Sequence, residues 1–359
     1  MSHRGDRKSD ERTITDGSMI VVAASSHLQD SFLFDSFSLA IKYESSARSA
    51  QNRLRHLKHG VAQALRRIHM RTVSFVVTVQ QDGKPVGLLL QRTLHMAGGL
   101  IAHQKQIPGG ILKNGVPVRT VDHAAAGDTL SICLPDAVDE GFRFSGRIPA
   151  PVVWEDDDLL VLNKPAGIAV HGAQEKGDVT VAQMLAAVCG PGFVFHPINR
   201  LDRGTSGLMV VAKNRYISDR LRLQLHTDAF LREYLAIVIG SPEPCDGVVR
   251  MPIARDPASP IRRCIAPSGL PSVTHYRTVL QRDKLSLISL RLETGRTHQI
   301  RIHMAAIGCP LAGDWLYGAP HPGIARCALH ASSLRLTHPM TGQTLQLRIP
   351  LPDDMRAIL

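Results

Sequence analysis

The sequence predicts an α+β protein in which a small α/β module over residues 72–135 precedes a continuous α+β domain over residues 152–359. Three observations carry this prediction. The composition, 44% hydrophobic and 20% charged, suits a chain with a sizeable core, and 359 residues suffice for about two domains. In the second half, strand patterns follow one another along the chain with helical patterns interleaved, which argues against a doubly wound parallel sheet. Residues 136–151, with Pro149 and Pro151 at their end, read as a linker between the two.

Residues 1–70 open with polar sequence and show no sustained period, so a poorly ordered extension is expected, or sequence upstream of the true start, since Met70 opens the first convincingly folded stretch. Within it, residues 47–69 read as a basic helix carrying Arg48, Arg53, Arg55, Lys58, Arg66 and Arg67, with Leu54, Leu57, Val61 and Leu65 on one stripe. In the small module, Val73–Val79 alternates as a strand and Asp82-Gly83 signals a turn. Val86–His103 holds one or two short helices, interrupted at Gly98-Gly99. Asn114-Gly115 between extended runs marks a tight hairpin, because both central residues need positive φ. Gly127-Asp128 then turns the chain into the module's last strand.

In the larger domain, strands are expected at Val152–Glu155, Leu159–Asn163, Leu208–Ala212, Glu233–Ile239, Ser272–Gln281 and Leu285–Leu292. Helices are expected at Thr180–Val188, Tyr216–His226 and Thr297–Ile307, the last stopped by Gly308 with Pro310 beyond.

Lys and Arg total 42 against 31 Asp and Glu, a net charge of +11 that favours a polyanionic partner. Membrane surfaces are polyanionic too, but no run approaches the roughly 18 apolar residues that span a bilayer, so no membrane association is expected. The six cysteines (Cys133, Cys189, Cys245, Cys264, Cys309, Cys327) form no Cys-x-x-Cys pair. Scattered thiols fit a reducing cytoplasm and argue against a disulfide framework and a structural zinc site.

Four segments carry the chemistry. Asn199-Arg200-Leu201-Asp202-Arg203-Gly204-Thr205-Ser206-Gly207 sets a carboxylate between two arginines in a loop feeding a strand. Nearby positive charge keeps such a carboxylate ionised, fit to act as nucleophile, base or oxocarbenium stabiliser; a loop salt bridge is the plainer reading of the segment alone. In Leu292 to His303, Thr294 or Thr297 can cap a helix on which His298 and Arg301 lie one turn apart, with Ile300, Met304 and Ile307 as the buried stripe of a surface helix. His298 and His303 do not share a helical face, so a metal site there is not expected. Leu231–Gly240 is a strand carrying Tyr234, one of five tyrosines, suited to stacking and proton transfer or simply to packing. Leu160–Gly167 reads as a buried strand ending in a bend with Lys164 exposed.

Together, in this order and spacing, the four segments resemble the RluA-type pseudouridine synthases, over about residues 152–350. The likeness extends to Gly308–Gly318 and Leu329–Pro339, and departs at Asn199, where many members have His. It implies a mixed, mainly antiparallel sheet with flanking helices. It assigns Asp202 as the essential carboxylate, Arg301 as its ion-pair partner, and Tyr234 as the residue that stacks on the base and assists proton transfer. Arg200 would fill the space left by a flipped nucleotide, with Asn199, Leu201, Arg203, Thr205, Ser206, Gly207, Arg296, His298 and Gln299 as supporting positions. The module at 72–135 resembles the alpha-L RNA-binding domain of ribosome-associated proteins. The expected activity is uridine-to-pseudouridine isomerisation in structured RNA, in large-subunit (23S) rRNA first and tRNA second, by a monomer needing no metal or other cofactor. A binding-only protein with an idle site and a carboxylate-dependent glycosidase are the rival readings; the second would need another acid beside Asp202.

Overall fold

The computed structural model describes residues 71–134, 142–172, 179–189, 193–225 and 227–359, in two units that divide between Pro135 and Asp136. The basic helix expected at 47–69 lies outside the described residues.

In the first unit, β1 (Arg71–Val76) pairs antiparallel with β6 (Thr129–Leu134) along its whole length. β3 (Ile111–Lys113) joins the other edge of β6, and β4 (Val116–Pro117) joins β3. A separate short pair is formed by β2 (Lys84–Pro85) and β5 (His123–Ala124). Alternation buries Val73, Phe75, Leu130 and Ile132, while α1 (Val86–Thr93) and α2 (Gly98–Gln104) bury Leu89, Leu90, Leu100 and Ile101. The β3–β4 turn is the expected Asn-Gly, with φ of 51° at Asn114 and 79° at Gly115. The first strand is shorter than its alternation suggests, since Val79–Gln81 is a 3₁₀ turn. Gly98 and Gly99 do not interrupt a helix but open α2.

The second unit is built on one ten-stranded sheet. Its strands are β7 (Val152–Glu155), β8 (Leu159–Lys164), β9 (His196–Pro197), β10 (Ser206–Ala212), β11 (Phe230–Ile239) and β12 (Asp246–Arg250), then β15 (Val273–Arg282), β16 (Leu285–Leu292), β17 (Leu329–Thr337) and β18 (Thr344–Arg348). The order is β12-β15-β16-β11-β17-β10-β8-β7, with β18 on β17 and β9 on β10. Every pairing is antiparallel except β10 with β17, which run parallel through Ser206↔His330 and Gly207↔Ala331. The sheet is therefore mixed and mainly antiparallel. β13 (Ile253–Arg255) and β14 (Arg263–Ile265) form a separate two-stranded sheet.

β8 over Leu159–Leu162 and β10 over Leu208–Ala212 are continuously apolar because side chains on both faces are buried. Around the sheet lie α3 (Val181–Cys189), α4 (Arg215–Gln224), α5 (Gln299–Ala306) and α6 (Asp353–Arg356). Asn214 caps α4 by accepting the Ile217 amide at 2.9 Å. The main core gathers Leu160, Leu162, Val181, Leu185, Met209, Val211, Ala236, Ile288 and Met304.

The linker expected at 136–151 is corrected for its described part. Phe144 is buried in this core, and its amide donates to both Glu155 carboxylate oxygens, at 2.8 and 3.0 Å. Glu155 ion-pairs with Lys213 at 2.7 Å, both side chains buried, and Lys213 donates to the Phe142 carbonyl at 2.9 Å. These bonds stitch residues 142–145 to β7 and to the end of β10. No helix among the described residues is long and apolar enough to cross a membrane.

Candidate active site

The Asp202 turn stands where β10 and β17 begin their parallel pairing. Gly207 fixes that junction: its φ is 115°, and a Cβ there would lie 2.3 Å from the Ala331 carbonyl oxygen. Only glycine lets the two backbones approach so closely. Upstream, Asn199 is buried and braces the loop on β10, accepting the Val210 amide at 2.8 Å and donating to the Leu208 carbonyl at 3.2 Å. Leu201 enters the core, and the Thr205 amide closes the turn on the Asp202 carbonyl at 3.0 Å. Ser206 points away from the turn to bond His330 Nδ1 at 2.8 Å.

Lys164 overturns the expectation of an exposed lysine. It is fully buried, donating to the carbonyls of Pro165 at 2.8 Å, Ile168 at 2.7 Å and Arg203 at 3.4 Å. Its ammonium thus holds the end of β8 to the Asp202 turn. Burial pushes its pKa down to about 8, with the Asp202 charge pulling the other way.

The second wall comes from α5. The expected Thr294 or Thr297 cap is not formed: the N-cap is His298, in the left-handed region at φ 59°, and the helix starts at Gln299. Thr294 instead donates to Gln299 Oε1 and accepts the Val273 amide. Gln299 Oε1 also takes the Arg296 amide, while its Nε2 donates to the Val273 carbonyl and to Thr274 Oγ1. Every polar atom of that side chain is used. Nor is α5 a surface helix, because Gln299 through Met304 are all buried, while Ile307 packs only at the core's margin. His303 joins a different network from His298, bonding Thr274 Oγ1 and the Met251 carbonyl.

Arg301 and His298 both face the carboxylate. Arg301 Nη1 lies 3.6 Å and His298 Nε2 3.9 Å from Asp202 Oδ2. The stronger partner of Arg301 is a residue that the sequence reading passed over. Asp314, completely buried, accepts from Arg301 Nε and Nη2 at 2.7 Å each, a bidentate pair. Burial opposes the arginine's charge, yet the hydrogen bonds to Asp314 push its pKa up. Tyr317 completes the setting, its ring 5.1 Å from the Arg301 guanidinium and its hydroxyl 2.8 Å from His298 Nδ1. Burial lowers the His298 pKa, so the ring is neutral at neutral pH.

These groups open on a cavity of about 490 Å³, within the usual size of ligand sites. Asn199, Arg200, Leu201, Asp202, Arg203 and Thr205 line it from the turn, Tyr234 from β11, and Arg296, His298, Gln299 and Arg301 from the α5 side; Ser206 and Gly207 do not. Arg200, Arg203 and Arg296 are exposed, whereas Tyr234 is buried and its hydroxyl pKa is pushed up by desolvation. Such a phenol stays protonated at neutral pH. His171, outside every motif, and Arg232 and Leu292, which lie in motifs but were given no role, line the same space.

Among the described residues, one cluster has metal-ligand composition: Asp156, Asp158 and His338. His338 Nδ1 accepts the Met340 and Thr341 amides, which leaves Nε2, 2.8 Å from Asp156 Oδ2, as the nitrogen that carries a proton. With Nδ1 accepting and Nε2 protonated, neither nitrogen offers a lone pair to an ion.

Comparison with known proteins identifies the family. The sequence family described as RNA pseudouridylate synthase matches residues 158–306, from the start of β8 to the end of α5. A ribosomal large subunit pseudouridine synthase D of Nitrosomonas europaea is 39% identical over 264 residues, 67% of this chain and 75% of that protein. A ribosomal large subunit pseudouridine synthase D of Salmonella typhimurium is 40% identical over 246 residues, 62% of this chain and 74% of that one. A solved structure, human RNA pseudouridylate synthase domain containing 4, aligns with a TM-score of 0.48 at 23% identity, covering 57% of this chain and 90% of that one. By its sequence relationship to these enzymes, the chain belongs to the RluA-type pseudouridine synthases and is an isomerase acting on uridine in RNA.

Proposed function

We propose that the chain converts uridine to pseudouridine in large-subunit (23S) rRNA, with Asp202 as the catalytic carboxylate. The observation that carries the site is the position of Asp202 in a nucleotide-sized cavity, facing Arg301 and sharing that cavity with Tyr234. The names of the curated relatives support the choice of rRNA over tRNA. In this reading the bond between uracil and ribose breaks, the base rotates, and its carbon 5 bonds to the anomeric carbon and then releases its proton. Asp202 either attacks the anomeric carbon or removes the proton from the 2′ carbon. Arg301, itself held by Asp314, keeps the carboxylate oriented, and the protonated Tyr234 lies against the base. Arg200, exposed at the rim, takes the place of the extruded nucleotide, whose removal from a helix costs a few kcal/mol. The unit at 72–135 is the proposed RNA-binding module, and the protein is taken to act as a cytoplasmic monomer.

The test is Asp202→Ala, assayed for pseudouridine and for RNA binding. Isomerisation is expected to stop while binding persists; retained conversion would remove Asp202 from the chemistry. Mapping pseudouridines in total RNA with and without the gene identifies the target, and a lost site in tRNA with none in rRNA would overturn the choice of rRNA.

A further inference from the structure

Arg232 is a cation inside the Asp202 cavity with no countercharge of its own. It sits on β11 two residues before Tyr234, on the same face of the strand, and both line the cavity. Its Nε is buried without a hydrogen-bond partner, and among the described residues no carboxylate stands within ion-pair distance. The guanidinium carbon lies 5.7 Å from the centroid of the Phe230 ring. Its Nη1 and Nη2 lie against Gly295, where a Cβ would come within 3.7 and 3.9 Å of them. It is therefore braced on two sides by groups that cannot neutralise it. Arg301 differs in having Asp314, and the rim arginines differ in being exposed to water.

Arg232 is half-buried, and leaving its Nε shielded from water without a partner is costly unless an anion completes the guanidinium. The substrate of an RNA isomerase carries such an anion at every nucleotide. A guanidinium offers a planar fork of donors matched to two phosphate oxygens. We propose that Arg232 binds the backbone phosphate adjoining the uridine held at Asp202. It thereby fixes the ribose-phosphate while the base is free to turn. This rests on the reading of the Asp202 cavity as the reaction centre. The arginines at the rim contact neighbouring phosphates in solvent, whereas Arg232 grips one inside.

The test compares wild type, Arg232→Gln and Arg232→Lys on total RNA from cells lacking the gene, measuring kcat and KM for pseudouridine formation across a salt series. A phosphate contact releases counterions, so Arg232→Gln should shallow the dependence of log kcat/KM on log salt by about 0.7–0.9. KM should rise about tenfold with kcat little changed, and Arg232→Lys should keep the wild-type slope. An unchanged slope in Arg232→Gln overturns the proposal; if kcat falls as well, the guanidinium serves the uracil instead. Because the charge has no protein partner, Arg232→Gln should melt no lower than wild type. A clear loss of thermal stability would show a structural role and equally overturn the proposal. Isomerisation surviving in Asp202→Ala would sink the site reading alone, leaving the salt slope to judge Arg232.

Discussion

At the scale of single residues, the site turns on an arginine shared by two carboxylates. Arg301 is gripped by Asp314 at 2.7 Å and reaches Asp202 only at 3.6 Å, so the buried acid sets where the guanidinium stands. Asp314→Asn is expected to destabilise the protein by about 3–5 kcal/mol, since it leaves a buried charge without its bidentate partner. Isomerisation should fall too, as Arg301 swings toward Asp202; urea unfolding and an activity assay read the two effects. Asp202, Tyr234, His298 and Arg301 were legible in the sequence because charge, spacing and resemblance pointed at them together. Asp314 and Arg232 were not, since pairing and its absence are made by tertiary contacts that local sequence does not encode. Lys164 was misread for the same reason: the bend after β8 folds its own Pro165 and Ile168 carbonyls over the ammonium, and the Arg203 carbonyl of the Asp202 turn joins them only in the fold.

At the scale of elements, two strands and one helix decide the geometry. Gly207→Ala is expected to cost about 4 kcal/mol or more, because the added methyl meets the Ala331 backbone in a left-handed conformation. Poor soluble yield or a large drop in melting temperature would show it; a wild-type melt would contradict the close approach. β17 carries the buried His330, whose pKa burial lowers from 6.5 to about 4. Its folded-state pKa is depressed, so between pH 6.5 and about 4 the unfolded chain binds more protons and stability falls as the pH drops. Unfolding measured through that window should lose on the order of 3 kcal/mol from this residue, and His330→Gln should flatten the slope. β7 and β16 lie where their apolar patterns predicted. β18 went unread because its polar residues alternate in a short run, and α5 looked like a surface helix because Gln299, Arg301 and His303 are polar residues turned inward.

At the scale of the whole molecule, the α+β class and the mixed sheet were predictable, whereas the strand order was not. Which strands become neighbours depends on connections such as that from β10 to β17, and no local pattern records them. Each unit has its own buried residues, and Phe144 seals the second through Glu155 and Lys213. Removing residues 1–135 should therefore leave residues 136–359 cooperatively folded and able to isomerise uridine, with KM for RNA raised. Circular dichroism melting and steady-state kinetics test this, and failure to fold would show that the units depend on each other. The parallel seam between β10 and β17 also bears on how the protein is made. β17 sits between β10 and β11 yet leaves the ribosome roughly a hundred residues after β10, at about 5–20 residues per second. For those seconds Ser206 and Gly207 at the start of nascent β10 lack their partner strand, since β9 covers only the far end at Val211 and Ala212, and such an open stretch of edge is a template for misassembly. The Asp202 turn lacks this closing strand for the same interval, and Arg301 itself follows Asp202 by 99 residues (301 − 202), so isomerisation by the unfinished chain is not expected.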